Sequence, residues 1–312
     1  QGLSVELPLF NRGSWIFNMR KSNPYNKYSE IYKSIQDFIT SDDKFNLLSE
    51  TATVDSNKNT VYNISSSYED LISCLSIIAN PTHRFTYTYI NGVDSILENR
   101  EYNGFNSLLG FDTIFIKEKT KLDHSGSIIN WYSKWDHNFN SHFSISNYNY
   151  NNNYLSLQSI LGIENNSTII GNANTQNTLT ENTIRFNQTY KGFTNHTIIS
   201  GIEQNYFSIF FNRENVDGNS INSSFLNQTA FIHSFFFQNQ WKLNPNLEIH
   251  SGYRFPFNGE KDKFYIEPRF AVKYQVIPDL FIEASLDKHH QFINRISSTN
   301  NMKWIENAWI IS

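Results

Sequence analysis

Residues 264–276 read Phe-Tyr-Ile-Glu-Pro-Arg-Phe-Ala-Val-Lys-Tyr-Gln-Val. Taken in alternation, Phe264, Ile266, Pro268, Phe270, Val272, Tyr274 and Val276 fall on one side. Tyr265, Glu267, Arg269, Ala271, Lys273 and Gln275 fall on the other. Successive side chains of a β-strand point to opposite faces, so this period of two writes a strand with one apolar and one charged face. The segments around it follow the same rule. Leu247, Ile249, Tyr253 and Phe255 oppose Glu248, His250, Gly252 and Arg254. Leu280, Ile282, Ala284 and Leu286 oppose Glu283, Ser285, Asp287 and His289. Leu3, Val5, Leu7 and Leu9 oppose Ser4 and Glu6; Trp15, Phe17 and Met19 oppose Asn18 and Arg20; Ile129, Trp131 and Trp135 oppose Asn130, Lys134 and Asp136.

Between these segments the connections come in two kinds. Short ones fall at 11–13, 80–83, 137–141, 191–195, 244–246 and 277–279, each with the Asn, Gly, Pro or Asp that turn geometry needs. Long polar ones are expected at 22–57, 98–123, 158–180, 212–227 and 258–263. Short turns at one end and long loops at the other are the pattern of an outer-membrane barrel, periplasmic and extracellular respectively.

Composition narrows the class. Hydrophobic residues are 39% of the 312, and no run approaches the roughly 18 apolar residues of a membrane helix. Yet aromatics reach 16%, with 26 Phe, 17 Tyr and 6 Trp, too much for a disordered polar chain. A barrel wall reconciles the two, since only every second residue meets lipid. The 25 Lys and Arg nearly balance the 29 Asp and Glu, so no basic stripe points to nucleic acid. The single cysteine, Cys74, forms neither a disulfide framework nor a cysteine metal site. His289 and His290 are adjacent and so face apart, and His137 and His142 merely flank a turn; no metal or cofactor is expected. Neither a G-x-S-x-G elbow nor a P-loop occurs, and the chain is read as a non-enzyme.

Periodicity alone does not separate a membrane barrel from a soluble sandwich. Three features favour the barrel: segments of about 10–14 residues against a globular mode of about 5–6, aromatics near segment ends (Trp15, Trp135, Tyr190, Trp241, Tyr274), and the short–long order of connections. Some positions resist. His233 and Asn239 fall on the apolar face, which implies a bulge or a shifted register. Lys288 and His290 do so near a strand end, from where they reach the headgroup zone. About twelve strands can be counted. Small barrels close with about 8 and plugged transporters with about 22. The expectation is therefore an all-β, antiparallel transmembrane barrel segment over residues 1–312, part of a larger barrel of about 22 strands. The plug domain and the final strands are expected to lie outside these residues.

Several stretches resemble one family. GLSVELPLFNRGSWIFNMRKS (2–22), NHTIISGIEQNYFS (195–208), SFFFQNQWKLNPNLEIHSGYRF (234–255), IEPRFAVKYQVIPDLFIEASLDKHHQF (266–292) and ENAWIIS (306–312) resemble, in order and spacing, the barrel of TonB-dependent outer-membrane receptors of the Bacteroidota type. The Gly252-Tyr253-Arg254 and Pro268-Arg269 elements and Gln291 carry much of this likeness. The resemblance implies active import of a scarce siderophore, oligosaccharide or peptide. It also implies a plug inside the barrel, a TonB complex that acts through the plug, outer-membrane lipid and lipopolysaccharide around the wall, and a lid lipoprotein or other envelope subunits as partners. The alternative is a barrel serving as a structural subunit of a secretion, motility or attachment complex.

Two residue sets follow. Glu6, Arg20, Arg254, Glu267, Arg269, Lys273, Glu283 and Asp287 share the charged side, with Lys134, Arg185, Glu203 and Glu248. By resemblance they face the plug; the plainer reading is a charge ladder that stiffens the wall. Tyr102, Phe105 and Trp304, with Tyr25, Tyr28 and Phe115, sit among polar residues in the expected loops. They would bind ligand there or pack the loops on themselves.

Overall fold

The computed structural model describes residues 1–10, 12–22, 60–106, 111–162, 167–217, 220–299 and 305–311. Every regular element among them is a strand: β1 (Gly2–Leu9), β2 (Gly13–Lys21), β3 (Thr60–Asn80), β4 (His83–Asn106), β5 (Phe111–Lys134), β6 (Phe139–Gly162), β7 (Ser167–Tyr190), β8 (His196–Asp217), β9 (Ser220–Asn244), β10 (Leu247–Asn258), β11 (Lys263–Phe264), β12 (Glu267–Ile277), β13 (Leu280–Asp287), β14 (Ile293–Thr299) and β15 (Ile305–Ile311). One sheet runs β1 through β10, then β12 and β13, each strand antiparallel to the next; β11 pairs with β10, and β14–β15 form a hairpin of their own. Strict sequence order is the up-and-down arrangement of a barrel wall.

The short turns form where the sequence places them, and the acceptor side chains show why. Asn80 Oδ1 accepts the Thr82 and His83 N–H groups, each at 2.9 Å. Asp136 Oδ1 accepts those of Asn138 at 2.6 Å and Phe139 at 2.8 Å, and Asn244 Oδ1 that of Asn246 at 2.9 Å. In each case an Asx side chain satisfies donors that the strand ladder has left open. Asn195 closes the 191–195 turn in the left-handed region, at φ 62°, which asparagine tolerates.

The long connections are corrected. β4, β5, β6 and β7 are 24 residues each, β8 is 22 and β9 is 25. Most of 98–123, 158–180 and 212–227 is therefore paired strand, not loop. Among the described residues, only 258–263 keeps its turn, held by Asn258 Oδ1 accepting from the Glu260 and Lys261 N–H groups. Residues 23–57 lie outside the described residues. A membrane crossing takes about 9–11 residues of tilted strand. More than half of each long hairpin therefore projects beyond the bilayer, where nothing demands an apolar face. That is why these parts read as loops.

The register makes the two faces explicit. Phe85, Trp131, Phe143, Phe186, Ile202, Phe235 and Phe255 are successive partners across seven strands and form one unbroken apolar row. One residue along, on the opposite face, the row reads Thr86, Asn130, Ser144, Arg185, Glu203, Ser234 and Pro256. The large side chains are the exposed ones: Ile202 is 59% exposed and Phe235 49%, whereas Asn130, Ser144 and Ser234 are buried. A soluble sandwich does the reverse. A continuous aromatic band on the outside belongs in lipid. Trp15, Trp135, Tyr190, Trp241 and Tyr274 all lie exposed beside the short turns, forming the girdle at that end. The β14–β15 hairpin marks the inner side. Trp309 meets the Tyr150 ring edge-on at 6.0 Å, within a cluster of Tyr150, Leu179 and Ile209 on the charged face.

No bulge accounts for His233 and Asn239; the β8–β9 ladder is regular there. Both face outward. Asn239 Oδ1 lies 3.1 Å from His196 Nδ1, and His196 stacks on Trp241, so this amide is satisfied within the girdle. His233 sits opposite Gln204 in the outward row above Ile202 and Phe235. His290 departs from its expected place in the headgroup zone. β13 ends at Asp287, alternation ceases, and His290 turns inward onto Glu267.

Candidate functional site on the inner wall

The inner face of β7 to β12 gathers its charges into one network. Glu203 on β8 is opposite Arg185 on β7 and Ser234 on β9. Arg254 on β10 reaches diagonally across β9 and donates from Nη2 to Glu203 Oε1 at 2.7 Å. The crossing passes beside Ser234, buried and small enough not to block it. Glu203 Oε1 also accepts from Asn205 Nδ2 at 2.9 Å. Asn205 Oδ1 accepts the Thr183 hydroxyl at 2.7 Å, and that hydroxyl lies 3.2 Å from Glu181 Oε1. Arg185 lies 3.6 Å from Glu203 Oε2 and rests over the Phe236 ring. That ring needs Gly201 beneath it: a Cβ there would run into Phe236 and the Phe186 carbonyl.

Glu267 is the far anchor. It is fully buried and is opposite Arg254 in the β10–β12 ladder. Its Oε1 accepts the His290 backbone N–H at 2.8 Å, with His290 Nδ1 at 3.3 Å. Its Oε2 lies 3.6 Å from Arg254 Nη1 and 3.9 Å from Arg269 Nη2, too long for hydrogen bonds. The carboxylate is thus held by the charge of two guanidiniums and by one good backbone donor. Through it, the chain beyond β13 is tied to β12. Low dielectric strengthens each of these attractions and raises the cost of breaking one.

Of the charged residues expected on this side, Arg254, Glu267 and Arg269 come together here, with Arg185 and Glu203. The others share the face but not the network. Arg20 donates to Asp70 on β3 at 2.7 Å, an exposed pair. Glu6 lies three residues before Leu9, the last residue of β1, opposite Ile16. Lys273 and Glu283 are ladder partners near the short turns, where Lys242, Glu248, Lys273 and Glu283 alternate in sign across four strands. Asp287 is opposite Arg269 and 3.9 Å from His289. Sequence reading missed Asp70, His290 and the uncharged links Asn205, Thr183 and Ser234. Alternation would have placed Asp70 on the inner face; the rest depend on register.

The expected loop residues are placed differently. The backbones of Tyr102 and Phe105 lie in β4, with Tyr102 opposite Ile114, so they belong to a projecting hairpin rather than a loop. Phe115 lies in β5. Tyr25, Tyr28 and Trp304 lie outside the described residues. Among the described residues, no group of His, Cys, Asp and Glu is arranged to hold a metal ion.

The chain is similar to the ferric-catecholate import receptor Fiu from E. coli K12 in its open form. The likeness has a TM-score of 0.57 and 10% identity, and covers 92% of this chain and 51% of that one. It is likewise similar to the ferric yersiniabactin uptake receptor FyuA from Yersinia pestis, with a TM-score of 0.53 and 7% identity, covering 88% of this chain and 42% of that one. The fold is that of an outer-membrane β-barrel. The chain spans about half the length of these receptors. No family model and no curated sequence matches it.

Proposed function

We propose that residues 1–312 form part of the barrel wall of a TonB-dependent importer that carries a scarce ligand (a siderophore, oligosaccharide or peptide) across the bacterial outer membrane. The observation that carries this reading is the wall itself. Twelve consecutive antiparallel strands, aromatic outside and charged inside, correspond to about half of two import receptors. An arc of that size belongs to a barrel of about 22 strands, whose lumen holds a plug. Glu6, Arg20, Arg254, Glu267, Arg269, Lys273, Glu283 and Asp287 then face the plug. Tyr102 and Phe105 stand on the projecting hairpin above it, near the ligand entrance. The partners are the TonB complex, acting through the plug, the lipopolysaccharide-bearing membrane, and a lid lipoprotein. The role is transport, not catalysis.

The test is uptake by cells that carry the full-length protein, with and without TonB. The probes are a radiolabelled ferric catecholate, a labelled oligosaccharide and a labelled peptide. At least one is expected to accumulate against its gradient, falling to background when TonB is removed. Uptake that merely equilibrates and ignores TonB describes a porin and overturns the reading, as does the uptake of none of the three.

A further inference from the structure

The inner face carries one apolar row where a water-filled lumen favours polar side chains. Tyr150 on β6, Leu179 on β7 and Ile209 on β8 are ladder partners in that row, flanked by His124 on β5 and Gln228 on β9. Ile209 is thirteen residues above His196, the first residue of β8. That is about 43 Å along the strand at ~3.3 Å per residue, and roughly 30 Å in height at a tilt of about 45°. The row therefore stands at the outer surface of the membrane, and Glu203 with its charged network lies six residues lower on the same strand. Three adjacent apolar side chains facing open water are unfavourable. Here all three are buried, because the β14–β15 hairpin lies over them. Ile293, Trp309 and Ile311 pack on the cluster, and β15 runs against β7, β8 and β9.

A clasp at the end of the wall sends the hairpin inward. Glu267 Oε1 accepts the His290 N–H at 2.8 Å, and the Tyr265 ring meets His290 at 4.5 Å and Phe292 edge-on at 5.4 Å. These contacts turn the chain off β13 and into the lumen just before β14 begins at Ile293. Beyond the clasp the hold is light. Each strand of the wall is joined to its neighbours by a backbone ladder, but among the described residues no ladder joins β14–β15 to the main sheet. The hairpin is held by its apolar contacts, by the Ile311 N–H donating to Gln228 Oε1 at 3.0 Å, and by Trp309. That ring meets Tyr150 edge-on at 6.0 Å and has the Arg295 guanidinium over it at 6.0 Å. The hairpin can therefore lift from the row without breaking a ladder hydrogen bond, while the buried Glu267 keeps its base in place.

We infer that β14–β15 is a lid built into the barrel. Seated on Tyr150, Leu179 and Ile209, it covers the outer end of the lumen along β6 to β9 and keeps solutes from the wall beneath it. Lifted about the Glu267–His290 clasp, it opens that wall to the outside. The apolar row is the seat, and it gives the closed position its preference, since opening returns three apolar side chains to water. The lid rests on the inner face of the wall being a lumen but not on what the barrel imports.

The test uses the full-length protein in intact cells, in a background free of other cysteines that includes Cys74→Ser. Tyr150→Cys combined with Trp309→Cys is expected to be joined by a short bis-maleimide, seen as altered migration of the denatured protein, and neither single variant is. In a second protein, Ser146→Cys reports access from outside to a bulky, membrane-impermeant maleimide; it lies four residues below Tyr150 on the same face of β6. Adding Trp309→Ala and Ile311→Ala is expected to speed its modification at least tenfold. Adding Trp309→Phe instead, which keeps a ring on Tyr150, is expected to leave the rate within twofold of the parent. Unchanged heat-dependent gel mobility shows that the variant barrels are folded. Absence of the cross-link places β15 away from the row and overturns the seat. A rate within twofold of the parent in the double alanine variant overturns the lid. Neither measurement reads uptake, so loss of the import reading leaves both interpretable.

Discussion

Glu267→Ala is expected to destabilise the barrel by about 3–5 kcal/mol, the cost of breaking a buried ion pair from one side. The carboxylate is fully buried, and its removal takes a countercharge from Arg254, which is left with Glu203 alone, and from Arg269. It also frees the His290 N–H, which loses its 2.8 Å acceptor, so the chain after β13 is released from β12. Glu267→Gln retains an oxygen for that N–H and loses only the charge, so it should fall between wild type and Glu267→Ala. Glu6→Ala, at an exposed position on the same face, should stay within about 0.5 kcal/mol. Urea unfolding of the full-length protein in detergent micelles, followed by tryptophan emission, reads all three. If Glu267→Ala matches Glu6→Ala, the network contributes nothing to stability, and only its plug-facing role is left.

Ile202→Arg should cost about 2–4 kcal/mol in a lipid bilayer, the penalty for arginine at mid-membrane on a barrel's lipid face. Ile202 lies in the centre of the outward aromatic row, between Phe186 and Phe235, and is 59% exposed. The same substitution at Thr197, on the inner face of the same strand near the short turn, should cost less than about 1 kcal/mol, because the lumen there is polar. The contrast matters more than either value. In a soluble sandwich the exposed Ile202 would tolerate arginine in water. Folding yields into lipid vesicles across a urea series separate the cases: equal yields for the two variants would remove the lipid from the account.

Much of this was legible in the sequence, for a physical reason. A strand with lipid on one side and water on the other has to alternate, so 264–276 and its neighbours declare their faces without any partner being known. The Asx turns are equally local: Asn80, Asp136 and Asn244 bond to N–H groups two or three residues away. The projecting hairpins were illegible because their outer face, beyond the bilayer, meets water and carries no apolar stripe to alternate with the inner one. Asn147 to Asn153 alternates Asn with Tyr and Asn, which resembles a loop until its ladder to β5 and β7 is seen. The inner network was half legible. Alternation puts Arg254, Glu267 and Arg269 on one face, but that Arg254 reaches Glu203 across β9 depends on register and on Ser234 being small. His290 was misplaced because alternation was carried three residues past the end of β13.

The most direct test of the wall's orientation is a spin-label scan along β8. In a Cys74→Ser background, each residue from 198 to 209 is changed in turn to cysteine and labelled in the full-length protein, reconstituted in bilayers. Collision with oxygen, which concentrates in lipid, is measured against collision with a water-soluble nickel chelate. Positions 198, 200 and 202 should be oxygen-accessible, and 199, 201 and 203 should not, with the outward signal passing to the chelate above Tyr206. If 198, 200 and 202 are shielded from both reagents, the aromatic face is a protein core and the barrel reading is wrong.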